Sequence, residues 1–256
     1  MAGDSIRYSI GWGGWAVVVG IGALIALVAL IVGKPGKTLL RVPIPLALLL
    51  GLMALSLIWS QYREFTAIGL VAQVGTTVFA LFLANQFGWR QLLNIFANTL
   101  RVVLAASLLF ELFAAVFGPI KPIFPNYEGD EPPSASYLWS QGNLFEGDRI
   151  QGIMGNANLL AFTAVLGIMV FLVEYIVTHK NRSIPLGSLI LAVLLAALAK
   201  SAGMTLAIGL IAFAALIAIF SEGRDRVTRH KIYGYGIWAL FGIGVLGLIS
   251  DRKSVV

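Results

Sequence analysis

The chain has 256 residues, 59% of them hydrophobic and only 12% charged, which excludes an ordinary soluble domain with its roughly 25% of charged residues. The net charge of +6 is no nucleic-acid footprint, because the Lys and Arg are scattered between apolar runs, the pattern of an orientation signal in a membrane protein. There is no Cys, so disulfides, thiolate metal sites and a Cys nucleophile are excluded.

A helix needs about 20 apolar residues to cross a bilayer. Eight stretches meet or approach that length: 13–32, 42–60, 66–85, 99–117, 157–177, 186–199, 202–220 and 232–249. They predict one all-α, polytopic integral membrane bundle over residues 1–256, with about eight transmembrane helices and one long external loop. The first stretch is too long for a signal-peptide core and runs into Gly33-Lys34-Pro35-Gly36-Lys37 without a cleavage pattern, so it reads as a span. Residues 186–220 form a nearly unbroken apolar run, interrupted by Lys200-Ser201-Ala202-Gly203. A tight turn between two short helices is the preferred reading; one long tilted helix with a buried Lys is the alternative.

Trp12, Trp15, Trp59, Tyr62, Trp89, Tyr175, Tyr233 and Tyr235 fall at span ends, as aromatic belts require. One set of connecting segments carries ten Lys and Arg, with the cluster from Arg224 to Lys231 the densest, and the opposite set carries seven. The first set is therefore predicted to be cytoplasmic. This puts the N-terminus, residues 118–156, the Lys200 turn and the C-terminus outside. His179 and His230 fall on the cytoplasmic side and are poor candidates for an external base.

The loop from Gly118 to Gly155 is the one sizeable polar region. Its middle is acidic (Glu128, Asp130, Glu131), it contains Tyr137 and Trp139, and it ends in Arg149-Ile150-Gln151-Gly152-Ile153-Met154-Gly155-Asn156-Ala157-Asn158. Asn156 or Asn158 is a good N-cap for the fifth span, and Gly155 permits a sharp turn into it. Free N–H groups at a helix start favour an anion, and Arg149 a few residues upstream can fork onto a phosphate. Lys200 lies on the same side. Together these groups suit a diphosphate. The plainer reading has Arg149 paired with Asp148 or Glu146, Asn156 only capping, and Lys200 snorkelling. Glu111, in the outer half of the fourth span, is expected to need Arg149 or Lys200 as a partner, whereas Arg101 and Glu174 are expected to snorkel at the other interface. No metal site is expected. P-loop, HExxH and GxSxG motifs are absent, and Gly152-x-x-Gly155 is no dinucleotide fingerprint.

Three segments resemble the O-antigen ligase and polymerase family of bacterial membrane proteins. Leu55-Ser56-Leu57-Ile58-Trp59-Ser60 is similar to the Leu-Ser-x-x-Trp-Ser signature closing an early span. Arg149 to Asn158 is similar to the Arg-x-x-Gly-x-x-x-Asn-x-Asn element opening a mid-chain span. Ala199-Lys200-Ser201-Ala202-Gly203-Met204-Thr205 is similar to a Ser-rich turn one hairpin later, although Ala202 stands where many members place an Arg. The resemblance implies an all-helical enzyme of the bacterial inner membrane that needs no cofactor, metal or nucleotide. Such an enzyme transfers a glycan from an undecaprenyl-diphosphate carrier to a hydroxyl acceptor, with Arg149 among the diphosphate ligands. It also implies a second long external loop carrying a catalytic His. That loop would begin near Ser250 to Val256, where this chain stops, so the chain is expected to be catalytically incomplete. The implied partners are a lipid-linked glycan and membrane lipid, without nucleic acid; a transporter or a non-catalytic component of an export complex is the rival class.

Overall fold

The computed structural model describes residues 3–32, 42–124, 134, 137–178, 181–221, 224, 228 and 233–234. The described residues form seven α-helices and a 3₁₀ turn: α1 Gly3–Val32, α2 Ile44–Ser56, α3 Arg63–Gln86, α4 Trp89–Phe117, the turn Gly152–Met154, α5 Ala157–Val177, α6 Ser183–Ala199 and α7 Ala202–Ser221. The only strand-like pairing among them is an isolated antiparallel bridge between Ile120 and Ser140. Among the described residues four helices, α1, α3, α4 and α5, are long and apolar enough to cross a membrane. The eighth expected span, 232–249, lies outside the described residues, as do Glu128, Asp130, Glu131, His179, His230 and most of the Arg224 to Lys231 cluster.

Three helices depart from the apolar runs for identifiable reasons. Helix α1 starts ten residues before its expected span. Asp4 sits in its first turn, where the helix dipole favours a negative charge, and it pairs with Arg7 at 3.0 Å. The early piece is set off by a break at Gly11, whose φ of 75° suits a residue without Cβ. Helix α4 also starts ten residues early, with Gln91 reaching back to accept a hydrogen bond from the Gly88 N–H at 3.1 Å. Helix formation needs no apolar run, so Trp89 to Asn98 extends the helix although it is too polar to be counted as span. Helix α2 has only 13 residues; at about 1.5 Å per residue it is shorter than a bilayer core of about 30 Å. Leu57 to Tyr62 then makes the connection to α3. Ser60 accepts from the Tyr62 N–H at 3.1 Å and shares a 2.7 Å hydrogen bond with Thr66.

The chain divides into two compact units, residues 1–200 and 201–256. In the first, α4, α5 and α6 close around small and medium apolar side chains. Leu100, Leu104, Leu160, Ala161, Ala164, Phe171, Ala192 and Leu195 are fully buried. The outward faces are apolar too, with Val71, Val102, Val116 and Ile184 exposed, the inverse of a soluble bundle. Arg101 and Glu174 are both partly exposed. They form an ion pair between α4 and α5. Arg101 also donates to Ser188 on α6 at 2.9 Å and to Asn98 at 2.7 Å, and it lies 5.1 Å from the Phe171 ring centroid. Arg101 is thus held by polar groups from three helices, Asn98 on α4, Glu174 on α5 and Ser188 on α6.

The 186–220 run does break where the Lys and Gly interrupt it. Helix α6 ends with Lys200 in the left-handed region at φ 45°, its N–H on the Ala197 carbonyl. The alternative of one continuous helix is thereby ruled out. In the second unit, Ser201 opens α7, its carbonyl accepting from both the N–H and the hydroxyl of Thr205, and Ser221 bonds to Tyr233 at 3.1 Å.

Gly167 lies where α4, α5 and α6 approach one another closely. A Cβ there would lie 3.0 Å from Leu104, 3.2 Å from Phe171 and 3.3 Å from Ala192, whereas a Cβ at Gly187 meets nothing within 4 Å. Gly167→Val is expected to destabilise the bundle by about 1–3 kcal/mol through overpacking, read as a lower melting temperature in detergent. Gly187→Val should leave the melting temperature unchanged; equal effects would contradict this packing.

Candidate functional site

The loop between α4 and α5 is built around the carboxylate of Glu111, which is 1% exposed. One oxygen, Oε1, accepts from the backbone N–H of Gln151 at 2.9 Å and of Gly152 at 2.6 Å. The other, Oε2, accepts from the Ser140 hydroxyl at 3.0 Å, and Ser140 in turn accepts from the Gly142 N–H at 3.1 Å. The expected partnership with Arg149 or Lys200 is thus not formed. Among the described residues Glu111 makes no ion pair, and neutral donors replace the cation. Hydrogen bonds to a charged group are each worth about 1.5–3 kcal/mol, so three of them satisfy a buried carboxylate without a counter-ion.

Two glycines permit this close approach. Gly152 has φ 61°, and a Cβ there would lie 2.8 Å from Ser107, one turn before Glu111 on α4. Gly155 has φ 62° and would meet the Tyr8 ring at 2.5 Å. The Trp139 indole fills the neighbouring space. It stacks against Phe110 and Tyr8 at centroid distances of 4.9 and 5.6 Å and donates to the Ile153 carbonyl at 2.9 Å. The first part of the loop is fastened by the bridge from Ile120 to Ser140 and by the Tyr8 carbonyl, which accepts from the N–H groups of Ile123 and Phe124.

With Gln151 and Gly152 held, the preceding residues run along the end of α6. The Ile150 N–H donates to the Leu198 carbonyl at 3.4 Å. Arg149 Nε donates to the Ala199 carbonyl at 3.3 Å, and its Nη2 donates to Asn158 Oδ1 at 2.7 Å on the first turn of α5. Lys200 Nζ donates back to the Gly147 carbonyl. Arg149 and Lys200 are therefore brought together, as the sequence suggested, at the junction of the α6 C-terminus and the α5 N-terminus. Both are exposed. Arg149 spans the two helix ends rather than pairing with a carboxylate. Asp148 accepts from the Arg149 backbone N–H at 2.8 Å, not from the guanidinium.

The helix start is less open than a bare N-terminus. Asn156 Oδ1 accepts from the N–H groups of Asn158 and Leu159 at 2.9 and 3.3 Å, occupying two donors that an anion would otherwise take. What Asn156 offers a ligand is its own Nδ2, which makes no hydrogen bond among the described residues. Gly155 gives close packing against Tyr8 and donates its N–H to Gly152. Guanidinium Nη1, the remaining Nη2 hydrogen and the Lys200 ammonium complete the donor set. This set can hold a doubly charged oxyanion by charge and directed hydrogen bonds.

Sequence reasoning missed Ser140, Ser107 and Tyr8. Nothing in a lone Ser or Tyr marks it as packing on a carboxylate or a loop glycine from a distant part of the chain. Trp139 was visible as an aromatic in the loop, without a partner. The chain matches no family model, no curated protein and no solved structure.

Glu111→Leu removes the acceptor for two backbone amides, each then costing about 1–3 kcal/mol if left buried and unpaired. Hydrogen exchange at Gln151 and Gly152 is expected to accelerate at least tenfold in this variant, with exchange in the middle of α5 unchanged. Unaltered exchange at those two amides would contradict the role given to Glu111.

Proposed function

We propose that this chain is a multi-pass protein of the bacterial inner membrane that binds a polyprenyl-diphosphate-linked glycan for transfer to a hydroxyl acceptor, in the manner of the O-antigen ligases and polymerases. The observation that carries this reading is the placement of Arg149 and Lys200 side by side where α6 ends and α5 begins. The apolar outer faces and the four helices long enough to cross a bilayer support the membrane setting. The excess of Lys and Arg in the opposite connections supports an external loop.

In the transfer, an acceptor oxygen attacks the anomeric carbon, the glycosidic bond to the phosphate breaks, and the diphosphate leaves with the electron pair. Charge then grows on the oxygen that had carried the sugar. Donors already fixed around that oxygen lower the barrier without reorganising. Arg149 meets this requirement because Ala199 and Asn158 hold its guanidinium before any ligand arrives. Lys200 adds a point charge, and Asn156 adds an amide N–H. Glu111 acts through the loop, as a positioning residue. None of the described residues is placed as the base that takes the acceptor's proton.

The transporter reading draws on the Arg101–Glu174 pair within the spans, because intramembrane ion pairs mark ion pathways in other proteins. Here Arg101 is also engaged by Ser188, Asn98 and the Phe171 ring. The open cations lie instead at the helix ends, where a lipid headgroup sits.

Arg149→Ala is expected to lower glycan transfer to the acceptor by about a hundredfold or more per folded molecule in the bacterial host, the effect of removing one charge-stabilising donor. If Arg149 only caps α6, the variant will melt earlier yet keep wild-type transfer per folded molecule, and this reading falls.

A further inference from the structure

At the end of the bundle remote from Arg149, a groove of about 720 Å³ is lined by residues of α4 and α5. Leu93, Met169 and Val173 are among the apolar side chains that line it, and Trp89 stands at its end. Two polar residues on the α4 side, Arg90 and Asn94, lie one helical turn apart and so share a face. Neither makes a hydrogen bond or ion pair among the described residues. The one carboxylate in the lining, Glu174, is already paired with Arg101. A second cation stands close by. Arg182 donates to the carbonyl of Thr178, itself a lining residue, and lies 5.3 Å from the Tyr175 ring centroid. The groove therefore joins an apolar slot along two helices to a mouth with unneutralised positive charge, flanked by Trp and Tyr of the kind that sit at headgroup level.

We infer that this groove is a binding site for an anionic phospholipid, with an acyl chain against Leu93, Met169 and Val173 and the phosphate at Arg90 and Asn94. The inference rests on the reading of the bundle as membrane-spanning and is independent of glycan transfer. A zwitterionic lipid satisfies the apolar slot but brings its own cation to a cationic mouth. An anionic one gains about the attraction of one basic residue near a charged headgroup, equivalent to roughly a fivefold preference. By the distribution of Lys and Arg, this end faces the cytoplasmic leaflet, where basic pockets between helices take anionic headgroups.

The test is reconstitution of the full chain into nanodiscs of equal phosphatidylglycerol and phosphatidylcholine, extraction into detergent, and native mass spectrometry of the retained lipid. The wild-type chain is expected to retain phosphatidylglycerol roughly fivefold over phosphatidylcholine. Arg90→Gln should bring the ratio close to one, and Val173→Trp, which fills the slot at an exposed position, should lower retention of both lipids. Equal retention of the two lipids by the wild-type chain, or an unchanged ratio in Arg90→Gln, would overturn the site while leaving the membrane reading intact. Retention of neither lipid would mean that another part of this chain or a second copy covers the groove, and the site would fall. A chain that does not enter the nanodiscs and stays in the aqueous fraction would overturn the membrane reading and the lipid site together.

Discussion

A single carboxylate organises the end of the bundle where the candidate site lies. Glu111 projects from α4 into a space that water does not reach and takes hydrogen bonds from Gln151, Gly152 and Ser140. These donors come from two separated stretches of the loop, so one side chain determines where both run. A buried acceptor without donors is costly, and two buried amides without an acceptor are costly as well. Each side thus restrains the other. The residues that follow inherit the restraint: Gly152 lies against Ser107, and Gly155 lies against Tyr8. Arg149, only two residues before Gln151, has little freedom left.

On the proposed reading, that restraint lets Arg149 and Lys200 serve two roles that do not compete. The last carbonyls of a helix lack intrahelical partners and carry negative partial charge. Arg149 satisfies the Ala199 carbonyl, and Lys200 returns a bond to Gly147, which locks the loop to the end of α6. A guanidinium has five donors in a rigid fork, and bonding to two protein oxygens leaves the rest for a ligand. The capping bonds orient the group in advance, and orientation in advance is what the proposed stabilisation of a leaving diphosphate would require. The structural and the functional accounts of Arg149 are therefore one arrangement.

The helices were legible wherever apolarity and helix coincide. Helix α5, predicted over 157–177, spans Ala157–Val177, and the break at Lys200-Ser201 falls where a charge and a hydroxyl interrupt the apolar run. Boundaries were missed where a helix continues through polar residues, as at Trp89 to Asn98, or where an apolar stretch ends in a turn, as at Leu57 to Ser60. Hydropathy reports what a segment tolerates around it and not which backbone bonds it makes. In the site, the closeness of Arg149 and Lys200 was legible from topology alone. The partners of Glu111 were not, because backbone amides are present at every residue and leave no trace in composition. The pairing of Arg101 with Glu174 was not legible for a related reason: the spacing between helices is not written in either segment.

The account turns on the connection between Glu111 and Arg149, and it is tested most directly by the affinity of the purified chain, in nanodiscs, for undecaprenyl diphosphate. Glu111→Leu alters no group that would touch the ligand, yet it is expected to weaken binding about as much as Arg149→Ala does, at least tenfold. Wild-type affinity in Glu111→Leu alongside lost affinity in Arg149→Ala would show that the loop holds its cation without the buried carboxylate, and the central claim would fail.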